Sequence, residues 1–233
     1  ADGNLSARRP SSGLVKSGRG VRISAVYSLR GTDAMFAVCS GDILEFQGDA
    51  IVVASTERVI GVVGLPKKIQ DAGGPQMKAE QMALPVLPGG SGRREVRCPV
   101  GEARITTGGR LPVDFCIFAV GPQYSGTGDK MAQNDRELLD AYKASMALAE
   151  SKGICSLGIS LLCGGMFRGS QTLRRVIEIG IEGIQVGAYP GLKEVCLVAF
   201  KQEELLVLKT VAKDLLGADV PSLQQEPPVW VAR

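Results

Sequence analysis

Seven short apolar runs, at residues 21–28, 35–39, 50–54, 103–107, 115–120, 154–162 and 194–200, recur along this chain. Their alternation with helically patterned segments is the strongest constraint on its fold. Runs of this length and character read as strands. Between two of them, segment 135–152 puts Leu138, Leu139, Tyr142, Met146, Leu148 and Ala149 on one face at helical spacing, with Asn134 as the expected N-cap and Gly153 as the stop. Segment 171–186 does the same with Leu173, Val176, Ile177, Gly180, Ile181 and Ile184. Segment 203–216 repeats it, and shorter helices are expected over 66–72 and 75–83. Strands that alternate with helices imply a central, mostly parallel sheet covered on both faces. At 233 residues and 45% hydrophobic content, the chain can bury one substantial core, so one domain with extensions is expected.

The ends lack this patterning. Residues 1–21 are rich in Ser, Gly and Arg and read as a flexible basic arm or the remnant of a processed targeting segment; the domain spans 22–217, and 218–233, with Pro221, Pro227 and Pro228, reads as a tail. Five Lys/Arg stand against Asp2 within residues 1–23, whereas the rest carries 22 basic and 23 acidic residues. A nearly neutral body generates no field that would recruit nucleic acid. No run approaches the roughly 18 apolar residues of a membrane span, so the protein is expected to be soluble and without a membrane partner. Six cysteines without a CxxC pair, four of them inside strand-like runs, read as reduced buried thiols of an intracellular protein. The chain contains no histidine. Ser-His and Cys-His catalysis, histidine-ligated zinc and a histidine general base are therefore excluded.

In open α/β sheets, ligands bind beyond the carboxyl ends of the strands. Three segments occupy such places. Gly41-Asp42-Ile43 follows the run 35–39, and an aspartate with backbone N–H groups beside it can pair with the amine and ring nitrogen of adenine; on its own, a Gly-Asp pair reads equally as a turn. The second is the run Asp49-Ala50-Ile51-Val52-Val53-Ala54-Ser55-Thr56, followed by Gly61-Val62-Val63-Gly64. In the third, Leu161-Leu162-Cys163-Gly164-Gly165-Met166-Phe167-Arg168-Gly169 takes a strand through a Gly-rich loop towards a helix. Such turns expose consecutive amides and suit a phosphate, and together the loops suggest a diphosphate cradle. Arg93, Arg94 and Arg97 form a cluster that could reach a phosphate but reads more simply as a solvated loop. Cys163 stands at a helix start, where a thiol is either reactive or simply buried.

The order of these elements resembles the macrodomain family. The most specific match is Cys98-Pro99-Val100-Gly101-Glu102-Ala103-Arg104-Ile105-Thr106 with Leu111-Pro112-Val113-Asp114-Phe115-Cys116-Ile117-Phe118-Ala119-Val120-Gly121-Pro122, similar to the family's C-P-x-G-E-A-x-I-T and L-P-x-x-x-x-I-H-x-V-G-P segments. Gly41-Asp42-Ile43 resembles its G-D-I, residues 49–56 its D-A-I-V-N-A-A-N, and residues 163–167 stand in the place of its S-T-G-I-F/Y loop. The resemblance implies a three-layer α/β/α sandwich around a mixed, mostly parallel sheet of about six strands, with ADP-ribose or an ADP-ribosylated protein bound across its top and no cofactor. By the same resemblance, Asp42 and the Ile43 backbone meet adenine and Phe200 stacks on it. Ala54 and Thr56 line the second segment, Gly64 and Leu65 flank one side of the diphosphate, and Cys163, Gly164, Gly165 and Met166 the other. Phe167 flanks the distal ribose.

The sequence also departs from that pattern. Val53 and Thr56 stand where the family has asparagines, Pro66 replaces an aspartate found in hydrolytic members, and Cys163 and Gly164 replace the loop's serine and threonine. These changes remove the groups that would activate water at the distal ribose. The implied function is ADP-ribose binding without catalysis. Two alternatives stand beside it: a hydrolase that removes ADP-ribose from proteins or deacetylates O-acetyl-ADP-ribose, and a degenerate domain that acts as a structural or interaction subunit.

Overall fold

A computed structural model describes residues 20–61, 63–88 and 95–220. The bulk of the arm and the tail, together with Val62, Arg93 and Arg94, lies outside the described residues. The strands are β1 (Arg22–Ser28), β2 (Met35–Ser40), β3 (Ala50–Ala54), β4 (Ala103–Thr107), β5 (Phe115–Ala119), β6 (Ser156–Ser160) and β7 (Glu194–Ala199). The helices are α1 (Gly64–Ala83), α2 (Asp129–Ser151), α3 (Leu173–Val186) and α4 (Gln202–Leu216).

All seven apolar runs form strands of one sheet, in the order β1-β2-β7-β6-β3-β5-β4. The sheet thus has one strand more than the six that the family resemblance implies, and the apolar runs were the better guide to the number. β2, β7, β6, β3 and β5 are mutually parallel, and β1 and β4 close the two edges antiparallel. Parallel strands with side chains on both faces need apolar residues at consecutive positions, which explains why the runs do not alternate with polar residues. In β3, Ala50 and Val52 enter the core beneath α2, α3 and α4, while Ile51 and Val53 enter the core beneath α1. β7 divides in the same way, with Val195, Leu197 and Ala199 on one side and Cys196 and Val198 on the other. The result is a mixed α/β/α sandwich.

Of three local expectations about the helices, one changes and two hold. Asn134 does not cap α2: the helix starts at Asp129 behind Gly128, and Asn134 lies inside it, 3% exposed. The first turns, Asp129 to Gln133, are mostly polar and carry no apolar stripe, so periodicity could not detect them. At the other end, Gly153 takes a left-handed conformation just beyond the helix, as expected of a stop. The helices expected over 66–72 and 75–83 are the two arms of α1, which breaks at Gly74 (φ 79°, ψ −166°) before Pro75. A proline that starts a new helical arm loses no hydrogen bond there. All six cysteines are free, and Cys155 alone among them is not buried. No described helix is long and apolar enough to cross a membrane.

Candidate functional site

Because five strands run parallel, the loops after β2, β7, β6, β3 and β5 emerge along one edge of the sheet. From β2 to β3 is three inter-strand steps, or about 14 Å. The chain builds β3 before it adds β5 on one side and β6 and β7 on the other, so the change of direction falls between β3 and β6. A crevice is expected at that point.

At one end of the edge, Ser40 of β2 pairs with Ala199 of β7, and the Gly41 amide donates to the Ala199 carbonyl at 3.1 Å. Asp42 and Phe200, each just past those partners, are thereby brought to neighbouring positions. The Asp42 carboxylate accepts from the Leu44 amide at 3.0 Å through one oxygen, capping the 3-10 turn Ile43–Glu45. Its second oxygen has no hydrogen-bond partner among the described residues. The Ile43 amide, first in the turn, has no acceptor within it. One fixed carboxylate oxygen, one open oxygen and an adjacent amide form a donor-acceptor pair suited to a heterocyclic amine and ring nitrogen. Phe200 is 68% exposed, and its amide is held by Glu204 at 2.9 Å. A large ring left in solvent beside such a pair is placed to stack.

In the middle of the edge, Val52 of β3 pairs with Ile159 of β6, and the Ser160 hydroxyl donates to the Val52 carbonyl at 3.2 Å. Each of the two following loops contains a non-glycine residue with positive φ, Val59 (61°) and Cys163 (55°), and among the described residues there are no others. For a β-branched valine this is a genuine outlier, and backbone strain of this kind collects at ligand sites. Val59 is fully buried, and its carbonyl takes the Gln81 side chain at 2.8 Å. The loop is thus drawn down onto α1. At the start of α1, Val63 supplies no side-chain cap and Pro66 has no N–H, which leaves the amides of Gly64 and Leu65 uncapped among the described residues at the positive end of the helix. Gly61 is packed so closely on this turn that a Cβ there would lie 2.2 Å from the Pro66 carbonyl oxygen.

The sequence-predicted residues divide between backbone and side-chain roles. Ala54 ends β3 half-buried, Thr56 is exposed and its carbonyl accepts from Val59, and Leu65 packs partly against the α1-side core. Cys163 is 5% exposed, and its thiol donates to the Pro122 carbonyl at 3.2 Å. Burial pushes that thiol up to about 12, which favours the buried structural cysteine over the reactive thiol. A Cβ on Gly164 would meet Leu161 at 3.0 Å, whereas Gly165 faces open space. Met166 is 87% exposed, and Phe167 packs partly on the core. Val53 is wholly buried in the core beneath α1. Arg97 pairs with Glu95 at 2.6 Å with its side chain 8% exposed, so it is not a free phosphate contact.

Sequence reasoning did not find Arg168, whose Nε is buried without a hydrogen-bond partner among the described residues. Nor did it find the hydrogen bonds that tie Tyr124 to Asp135 and Phe167. No spacing rule signals either. A shallow depression lined by Lys143, Ala147, Glu150, Val186 and Pro190 lies at the opposite end of the sheet, near the starts of β6 and β7, and gathers none of these groups. Among the described residues, no cluster of acidic and sulfur side chains could hold a metal ion.

Residues 52–173 match the family model of the macro domain. A macro domain-containing protein of Cupriavidus necator is 35% identical over 169 residues, which span 71% of this chain and 90% of the relative. A protein of Pantoea vagans named O-acetyl-ADP-ribose deacetylase 1 is 30% identical over 166 residues, 71% of this chain and 91% of that one. Among solved structures, the Oceanobacillus iheyensis macrodomain with ADP is similar in fold, with a TM-score of 0.71 at 21% identity, covering 84% of this chain and 97% of that one.

Proposed function

The chain belongs to the macro domain family, and on that premise we propose that it binds ADP-ribose, free or attached to a protein, in the crevice along the carboxyl edge of its sheet. The observation that carries this reading is the spatial order of the groups: Asp42 with an open oxygen and exposed Phe200 at the β2–β7 end, then two strained loops between β6 and β3, one of which leads to the uncapped amides of Gly64 and Leu65. Adenine fits the first pair, and a diphosphate fits amides at a helix start. The hydrogen bond from the base to the Asp42 carboxylate contributes about 1.5–3 kcal/mol, as charged acceptors do. Exposed Val63, Met166 and Phe200, with open space at Gly165, favour an accessible crevice over one filled by its own side chains.

A hydrolytic reading draws support from relatives named O-acetyl-ADP-ribose deacetylase, at 30% and 29% identity. The residues present supply little for it. Hydrolysis needs a group that positions water and another that orients the sugar. Val53 is buried against α1, Pro66 offers no side-chain oxygen, and Thr56 contributes only a hydroxyl. We therefore favour binding without turnover. Titration calorimetry with ADP-ribose tests the proposal: saturable binding at one site per chain is expected, and the absence of measurable heat and of thermal stabilisation by ADP-ribose would rule the proposal out.

A further inference from the structure

The loop that carries Phe167 is held only in part by its own backbone, through the Arg168 amide on the Gly165 carbonyl at 3.1 Å and the Gln171 amide on the Arg168 carbonyl at 2.9 Å. Its only regular element is the three-residue 3-10 turn Met166–Arg168, which has no side-chain cap. Its other anchors come from the neighbouring loop after β5 and from α2. Cys163 is tied to Pro122, and the Tyr124 amide donates to the Phe167 carbonyl at 2.9 Å. Gly169 packs against the Tyr124 carbonyl, where a Cβ would lie 2.2 Å from the oxygen.

These contacts converge on one carboxylate. Asp135, in the second turn of α2, accepts the Tyr124 hydroxyl at 2.9 Å and the Gln171 amide at 3.0 Å through Oδ1, and the Arg175 guanidinium at 2.9 Å through Oδ2. Tyr124 leads to the backbone of Phe167, Gln171 lies where the Phe167 loop enters α3, and Arg175 is in the first turn of α3 itself. Asp135 thus joins the middle of the loop and its C-terminal end to α2, and its side chain is only 19% exposed. Hydrogen bonds to a charged acceptor in a partly dry setting are the strong ones, so this is a stiff joint.

We propose that Asp135 is a positioning residue that sets the specificity of the crevice: by clamping Tyr124, Gln171 and Arg175, it holds the Phe167 loop against whatever lies beyond the diphosphate. The inference rests on the ADP-ribose reading. It assigns discrimination between ADP-ribose and AMP to a side chain that touches neither. AMP, held by Asp42 and Phe200 at the β2–β7 end, does not reach the clamped loop. Only a ligand extended past the diphosphate gains from the loop's being held.

The test measures dissociation constants for ADP-ribose and for AMP in the wild-type chain and in Asp135→Ala and Tyr124→Phe, with thermal melts alongside. For Asp135→Ala, we expect ADP-ribose affinity to fall about tenfold while AMP affinity stays within about twofold, the loss of roughly one charged hydrogen bond's worth of positioning. Tyr124→Phe, which deletes one hydroxyl and no charge, shifts the ratio in the same direction by less. It decides the question alone if Asp135→Ala does not fold. An ADP-ribose to AMP ratio unchanged in Tyr124→Phe, or a parallel loss of both ligands in either variant, would show a merely structural joint and overturn the inference. If the wild-type chain itself does not prefer ADP-ribose, the binding reading fails, a result distinguishable from failure of the clamp.

Discussion

Replacing Asp42 separates the structural work of its carboxylate from its ligand work, because only one of its two oxygens has a protein partner among the described residues. One oxygen caps the Ile43–Glu45 turn through the Leu44 amide, and the other is open. Asp42→Ala removes both. Loss of the cap costs about 1 kcal/mol, which for a domain of this size lowers Tm by roughly 2–4 °C. Loss of the charged acceptor costs about 1.5–3 kcal/mol of binding, a rise in Kd of roughly 10- to 140-fold. Asp42→Asn keeps an oxygen for the cap but turns an amide donor towards the ligand's own amine. It should therefore retain Tm while losing ADP-ribose affinity by at least about tenfold, through an unpaired buried donor. Calorimetry and thermal melts on the two variants give both numbers. An unchanged Kd in Asp42→Ala, or full affinity in Asp42→Asn, would refute the assignment of the open oxygen to the base.

Gly61→Ala should lower Tm by roughly 2–12 °C, since a Cβ 2.2 Å from the Pro66 carbonyl oxygen overpacks the turn by about 1–3 kcal/mol, whereas Gly165→Glu, built into open space, should leave Tm unchanged and abolish ADP-ribose binding; calorimetry and melts decide both. Thiol labelling of the native protein at pH 7–8 should modify Cys155 first and leave Cys163 protected. The folded state holds the Cys163 thiol up to about 12, so the stability this contributes is complete below the unfolded pKa of about 8.5 and is lost as pH rises from there towards 12. Rapid modification of Cys163 at pH 7 would contradict that burial. The protein should not release ADP-ribose from a mono-ADP-ribosylated substrate above background in a time course run beside an active hydrolase, and turnover abolished by Gly165→Glu would make it an enzyme.

The parts of the fold legible in the sequence were those fixed by periodicity. The seven apolar runs became the seven strands within one or two residues: the five parallel strands, covered on both faces, must be apolar throughout, while the edge strands β1 and β4 are apolar only in part. The helix over 171–186 was equally plain, since Thr172 caps it and its apolar stripe is continuous from Leu173 to Ile184. The start of α2 was not legible: Asp129 to Gln133 extends the helix on polar residues whose only apolar anchor is Met131. At the site, motif spacing located the loops but could not say which atoms they present. Cys163 sits within the Gly-rich loop, yet its side chain turns to Pro122, so only backbone remains to face a ligand there. The left-handed conformation of Val59 and the three-way clamp on Asp135 depend on contacts between segments far apart in sequence, which no local pattern encodes.

The central claim is that one crevice holds a base at the β2–β7 end and a diphosphate between β6 and β3. Comparing the dissociation constants of ADP-ribose and AMP by titration calorimetry tests it most directly. If the uncapped amides of Gly64 and Leu65 and the Gly165 loop form a diphosphate cradle, ADP-ribose binds at least about tenfold more tightly than AMP, the equivalent of roughly 1.4 kcal/mol or more from the added contacts. Equal dissociation constants would mean that the loops between β6 and β3 make no cradle, and the claim would fail.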